Sequence, residues 1–282
     1  MRTAVITVAH GRTEHLRRQR ATLARGSRTP DVHVVVALDD PTVHTTVTET
    51  DLDTVVVDCE RGGGPLPVAR ARNVGAAAAR DAGADLLIFL DVDCMAGAAL
   101  LGRYGQAAER PEHADALLCG PVTYLPPPDP AGYPLTALEA LIAPHAARPA
   151  PADGEVVDAG GRYSLFWSLS FAVTWSTWQR IGGFCERYLG YGAEDTDFGQ
   201  CAASAGVGMR WVGGAHAFHQ HHPVSDPPVE HLDDILLNCN IFHDRWGWWP
   251  MSGWLDAFEE RGLIRRGPSG DPTRIENAGE HL

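Results

Sequence analysis

Apolar, β-branched runs alternate with amphipathic stretches along the first 125 residues. Residues 4–9 are a short run of this kind and predict a buried strand. Gly11 ends it, and Thr13 opens a predicted helix over 13–25 with Glu14 in its first turn. Strand-like runs return at 32–38, closing on Asp39-Asp40-Pro41, and at 54–57. After a Gly-rich loop at 60–65, an Ala-rich helix is predicted over 68–82 and stopped by Gly83. A fourth strand over 85–90 runs straight into Asp91-Val92-Asp93. A helix over 98–109 and a strand over 116–124 complete the series.

Strand and helix in alternation imply βαβ units, hence an α/β fold with a central, mainly parallel sheet flanked by helices. In such sheets ligands bind beyond the carboxyl ends of the strands. Asp39-Asp40 and Asp91-Asp93 both fall at such ends. The pattern then changes: eight prolines crowd residues 126–151, which reads as long connecting loops around a short helix at 135–142. Beyond them a strand is expected at 168–174, a helical turn holding Trp175 and Trp178, a helix at 194–205, a strand at 209–212, and closing helices at 229–242 and 253–260.

Composition narrows the possibilities. The 282 residues are 44% hydrophobic and 21% charged, enough for a full core without staples. The net charge of −13 argues against a basic face for nucleic acid or anionic lipid. An anionic ligand must therefore be held by a metal or a local arginine cluster. The chain contains no lysine, which removes Schiff-base chemistry and the lysine-dependent P-loop. No run approaches the roughly 18–20 apolar residues of a membrane span, and the first residues lack the pattern of a secretory signal. The six cysteines form no Cys-x-x-Cys pair, so reduced thiols and a cytoplasmic location are expected.

Five constellations carry chemistry. In Asp91-Val92-Asp93, residues i and i+2 on extended backbone point the same way, which suits a hard divalent cation shared with phosphate oxygens; a solvated acidic turn would look the same. Glu194, Asp195 and Asp197 place three acids in four residues after Gly192, more than a helix N-terminus needs, and offer a general base. His216, His219, His221 and His222 are dense enough to ligate a metal or to be loop histidines, but lack the partners of a zinc hydrolase. Arg61, Arg70 and Arg72 can neutralise a diphosphate. The nearby glycine triplet, Gly62 to Gly64, lacks the spacing of a dinucleotide fingerprint. Trp246, Trp248, Trp249 and Trp254 read either as a hydrophobic plug or as a stacking platform for a sugar ring.

In their order, these residues resemble the inverting family 2 glycosyltransferases of the GT-A fold, including their galactosyltransferase-like branch. Residues 5–10 resemble the first strand, and Leu38-Asp39-Asp40 the end of the second, although Pro41-Thr42 replaces the family's Gly-Ser. Ala71-Arg72-Asn73-Val74-Gly75 and the strand into Asp91-Val92-Asp93 match the Ala-Arg-Asn and DxD motifs. Ile181-Gly182-Gly183-Phe184 and Gly192-Ala193-Glu194-Asp195-Thr196-Asp197 match the Gly-Gly-Phe and Glu-Asp-x-Asp blocks, and His219 the late histidine.

The resemblance implies a catalytic unit over 1–222, with a nucleotide-binding part (1–125), an acceptor part (126–222) and a helical extension from 223 to 282 packed on it. It implies that His10, Asp39 and Asp40 hold the nucleobase, that Arg72 reaches base or diphosphate, and that Asp91 contacts ribose or sugar. Asp93 and His219 would bind Mn2+ (or Mg2+), with His221 the rival ligand; Asp195 would be the base and Glu194 an acceptor or sugar contact. The implied reaction moves a hexose from a nucleotide sugar, with a UDP-hexose the expected donor, to a small-molecule, glycan or peptide hydroxyl with inversion. Two alternatives stand beside it. A sugar-nucleotide nucleotidylyltransferase would need a basic Gly-rich N-terminal signature, which Gly11-Arg12 does not supply. A noncatalytic sugar-nucleotide-binding scaffold would differ in failing to release UDP with Mn2+.

Overall fold

The computed structural model describes residues 1–275. Its first half alternates β1 (Thr3–Ala9), α1 (Thr13–Arg25), β2 (Val32–Leu38), α2 (Thr42–Thr46), β3 (Thr54–Cys59), α3 (Val68–Asp81) and β4 (Leu86–Leu90). Then come β5 (Cys94–Ala96), α4 (Leu100–Ala108), β6 (Leu117–Cys119), β7 (Val122–Tyr124), β8 (Val156–Asp158) and β9 (Ser170–Thr174). The second half continues with α5 (Trp175–Ile181), α6 (Glu194–Ser204), β10 (Met209–Val212), β11 (Ala217–His219), α7 (Leu232–Trp246), α8 (Ser252–Glu260), β12 (Ile264–Arg266) and β13 (Pro272–Arg274).

Eight strands form the central sheet in the order β3-β2-β1-β4-β9-β6-β10-β8. The β3-β2-β1-β4 half is parallel throughout, as its crossover helices require. β9 runs antiparallel between β4 and β6, and β8 antiparallel on the far edge. Both faces are covered, so β2 and β4 are buried along their whole length and, His33 apart, read as apolar runs rather than alternating ones. α3 lies close against β1 and β2 at Gly75, where a Cβ would meet the Ile6 side chain at 2.5 Å. An aromatic block ties β4 and β9 to the helices behind them: Phe89 stacks on Phe171 at 4.5 Å and Phe184 on Phe198 at 4.4 Å. Removing Phe89 as Ala would cost about 3–5 kcal/mol by lost burial and the cavity left.

Two sequence expectations change. The strand expected over 116–124 is two strands. Gly120-Pro121 interrupts it because the backbone there passes so close to Ala215 that a Cβ on Gly120 would lie 1.9 Å from its carbonyl oxygen. β7 thereby leaves the main sheet and joins a second sheet of order β5-β11-β7. The helix expected at 135–142 is a single 3-10 turn, Leu138–Leu141, buried through Leu138 alone. The rest of residues 126–151 holds no helix among the described residues.

The second sheet positions the site. β11 pairs antiparallel with β5 in a register that sets His219 opposite Cys94, and the Gln220 amide continues the ladder onto the Asp93 carbonyl at 2.7 Å. A histidine 126 residues away in sequence is thus delivered beside the β4–β5 turn.

Candidate active site

At the carboxyl end of β4 the chain turns through Asp91-Val92-Asp93, closed by the Cys94 amide donating to the Asp91 carbonyl at 2.8 Å. Asp93 Oδ2 lies 3.4 Å from Nε2 of both His219 and His222. One ligand atom from each of these three residues falls within 4.8 Å of the others. Asp93 Oδ1 is buried and has no hydrogen-bond partner among the described residues. An orphaned carboxylate oxygen is costly unless something further completes its shell. A carboxylate with two imidazoles is a donor set that fits a divalent cation. His222 Nδ1 lies 3.2 Å from the Pro223 carbonyl; a proton there leaves Nε2 free to ligate. Burial pushes the Asp93 carboxyl up, but the hydrogen bonds and charge of His219 and His222 outweigh it and hold it below the usual carboxylate range. In return, the bond to Asp93 pushes the His222 imidazole up.

The structure brings His222, not His221, into this group. His221 is exposed, and its backbone amide donates to the Tyr133 hydroxyl at 3.0 Å. The buried Gln220 between the ligating positions fixes which imidazole turns inward. His15 on α1, not singled out in the sequence, lies 6.5 Å from His222 ring to ring, with a buried, unpartnered Nε2.

The other acidic group sits at the start of α6. Gly192 and Ala193 both adopt positive φ (96° and 71°), so Ala193 carries strain of about 1–2 kcal/mol that turns the chain into the helix at Glu194. Asp195 Oδ1 accepts the Thr196 amide at 2.6 Å. Burial first, and then the charge of Glu194, push its carboxyl up to about 7. Asp197, one residue beyond Thr196, is fully buried and belongs to the scaffold. Its Oδ1 accepts Arg245 Nε and Trp246 Nε1, both at 2.7 Å, and the Tyr188 hydroxyl at 3.1 Å.

Arg72 joins the two acidic groups. Its guanidinium donates to Asp91 and to Glu194, each at 3.0 Å, and lies over the Phe184 ring. Its side chain is 6% exposed, so the arginine expected to reach a base or diphosphate is committed to two protein carboxylates. Burial works against its charge, yet the two acids outweigh that and push its pKa up. Next to it, Asn73 Nδ2 donates to the Phe184 carbonyl and the Phe184 amide donates to Asn73 Oδ1, both at 2.9 Å. The Ala-Arg-Asn and Gly-Gly-Phe motifs therefore pack as one unit. Burial, and then the charges of Glu194, Asp195 and Asp93, push the Tyr191 hydroxyl up to about 12.

Of the nucleobase candidates, His10 Nδ1 lies 2.7 Å from the Leu38 carbonyl. Asp40 binds the Gly11 amide with one oxygen and Thr42 with the other. Burial raises its carboxyl, but these bonds hold it below its usual value. Asp39 is exposed, at positive φ. The three share the carboxyl ends of β1 and β2. The Trp-rich segment largely packs: Trp246 is bound to Asp197, and Trp249 stacks on His243 at 4.0 Å. A groove of about 750 Å³ lies at the opposite, amino end of β2 and β3 and holds none of these residues.

The fold is of the GT-A type, an α/β arrangement shared with solved structures. A family model described as the N-terminal domain of galactosyltransferase matches residues 155–223, the segment that carries Glu194, Asp195, His219 and His222. Among solved structures, S. aureus TarS 1-349 in complex with UDP-GlcNAc is similar at a TM-score of 0.58 and 13% identity, over 92% of this chain and 80% of that one. GalNAc-T7 with UDP, GalNAc and Mn2+ is similar at a TM-score of 0.54 and 17% identity, over 78% of this chain. The chain spans 44% of that protein's length. No protein of curated function matches the sequence.

Proposed function

We propose that the protein is a metal-dependent, inverting glycosyltransferase that moves a hexose from a UDP-sugar to an acceptor hydroxyl. The observation that carries this reading is the Asp93–His219–His222 cluster, with its orphaned carboxylate oxygen, joined through Asp91, Arg72 and Glu194 to the segment where the Asp195 carboxyl is raised to about 7. The family match over the segment that bears Asp195, His219 and His222 supports it. So do similar folds solved with UDP-GlcNAc and with UDP and Mn2+.

A divalent cation held by Asp93, His219 and His222 supplies neutralisation of the charge that builds on a departing diphosphate. The mixed carboxylate and imidazole set suits Mn2+ better than Mg2+, which prefers oxygen ligands. The chain's own residues do the rest. Asp195 Oδ2 is free of the Thr196 bonds, which both fall on Oδ1, and takes the proton of the acceptor hydroxyl as that oxygen attacks the anomeric carbon from the face opposite the leaving group. Arg72 orients Asp91 and Glu194. Burial and then the charge of Glu194 raise Asp195 to about 7, where it is basic enough to accept a proton while a good share of it is ionised at neutral pH.

The test is release of UDP from a panel of UDP-hexoses with Mn2+, with chelator as control and anomeric configuration read by NMR. Chelator-sensitive turnover giving an inverted product supports the reading. Turnover indifferent to chelator, or a retained configuration, sinks it.

A further inference from the structure

Four polar side chains lie fully buried between α1 and the central sheet: Thr7 on β1, Gln19 and Arg20 on α1, and His33 on β2. They form one chain of hydrogen bonds. Arg20 Nη1 lies 2.9 Å from His33 Nδ1, His33 Nε2 lies 3.1 Å from Thr7 Oγ1, and Thr7 Oγ1 lies 2.8 Å from Gln19 Oε1. The Gln19 amide nitrogen then reaches the carbonyls of Asp91 at 2.7 Å, Cys94 at 3.0 Å and Leu90 at 3.4 Å. Those carbonyls bracket the turn that carries Asp93.

The directions in this chain run from one end. A guanidinium can only donate, so His33 Nδ1 must accept. The neutral ring then carries its proton on Nε2 and donates it to Thr7. Burial and the Arg20 charge hold His33 neutral, with its pKa pushed down to about 3. Thr7 has one proton and two acceptors in reach, Gln19 Oε1 at 2.8 Å and the Leu90 carbonyl at 3.1 Å, of which the amide oxygen is the nearer. With its oxygen on Thr7, Gln19 presents its NH2 group to the turn, the orientation that the carbonyls there also require. Arg20 itself is held by the Val47 carbonyl and by Thr50 and Thr54 hydroxyls, with no carboxylate paired to it among the described residues. Its charge is therefore not spent on an ion pair.

We propose that Gln19 is a positioning residue for the cation site: the relay from Arg20 through His33 and Thr7 fixes the orientation of its amide, which clamps the Asp91–Cys94 turn and so sets where Asp93 stands relative to His219 and His222. The proposal rests on the cation reading of that cluster. Partners that orient metal ligands are typically worth about 10- to 100-fold in metal affinity.

The experiment is direct Mn2+ titration of the free protein, without any sugar nucleotide, by the loss of the free Mn2+ resonance signal. Melting temperature is followed in parallel. Gln19→Leu, which keeps the volume and removes the donors, is expected to weaken Mn2+ binding by about tenfold or more. Thr7→Val, which frees the amide to turn over, is expected to weaken it several-fold. Leu23→Ala, a buried change on the same helix outside the relay, is the stability control. It should lower the melting temperature while leaving Mn2+ affinity at the wild-type value. A wild type that binds Mn2+ beside a Gln19→Leu protein that binds equally well overturns the clamp alone. Equal loss in Leu23→Ala overturns it too, since general loosening then suffices. A wild type that takes up no Mn2+ overturns the cation site and the clamp with it.

Discussion

The β4–β5 turn and the start of α6 each present a pair of acids to one cleft, and the protein treats them in opposite ways. Asp93 is met by two imidazoles and held ionised. Asp195 is met by another carboxylate and by burial, and is pushed toward its protonated form. Sequence places both as acids at element ends. The difference comes from what folding sets opposite each. A ligand to a cation must be a carboxylate at every working pH, whereas a base must exchange its proton, and the two environments satisfy those demands separately.

The sharpest way to break the comparison is to neutralise each member. Asp93→Asn is expected to lower transfer by about a thousandfold or more, through loss of the cation, read as Mn2+-dependent UDP release. Asp195→Asn should lower kcat by about 10²- to 10⁴-fold while Mn2+ affinity stays put, a split that calorimetry and kinetics together resolve. In the wild type, kcat should climb tenfold per pH unit below about 7 and level above it, because the base works ionised. The Asn variant should lose that limb.

Stability should then part the two variants. Asp195 has a raised pKa, so between about pH 4 and 7 the native protein holds a proton the unfolded chain gives up, and stability declines as pH rises through that window. Asp195→Asn removes the decline and should gain about 1–3 kcal/mol at pH 8 by thermal or urea unfolding. Asp93 has a lowered pKa and His222 a raised one. Their pair stabilises above the ordinary carboxylate range and fades as pH rises past the imidazole range. Asp93→Asn should therefore cost about 1–3 kcal/mol near pH 5.5 in metal-free protein. Both variants losing stability would erase the contrast drawn here.

Two smaller effects sharpen it on α6 itself. Asp197→Ala leaves Arg245 and Trp246 without their acceptor and should cost about 3 kcal/mol, with activity reduced only as far as the fold is. Trp246→Phe removes one of those donors and should cost about 1 kcal/mol, read as a shift in urea midpoint at unchanged slope.

Much of this could be read in the chain. The strands from Thr3 to Leu90 and the helices α1 and α3 fall within a few residues of their expected ends, because each carries an apolar run or stripe beside a turn residue, whereas the short α2 was not expected. β5, β8 and β11 were not legible: each is three residues long and owes its existence to a partner far away in sequence, while β12 and β13 are a hairpin of two three-residue strands too short to leave a pattern. The site divides along the same line. Asp93, Asp195 and His219 sit in local motifs. That His222 rather than His221 faces Asp93 depends on the Gln220 amide meeting the Asp93 carbonyl, which no spacing reveals. Nor could the arginine beside Asn73 be seen to span two acids, since Glu194 lies 122 positions away.

The strand order also has a consequence for how the protein comes into being. β6 touches only β9 and β10 within the main sheet, so after residues 117–119 leave the ribosome they wait for residues 170–174 before any neighbour exists. The β3-β2-β1-β4 half needs nothing beyond Leu90 to pair its strands. A nascent chain can therefore complete one half of its sheet while the histidines are still being translated, and the cleft closes only after residue 222 has emerged.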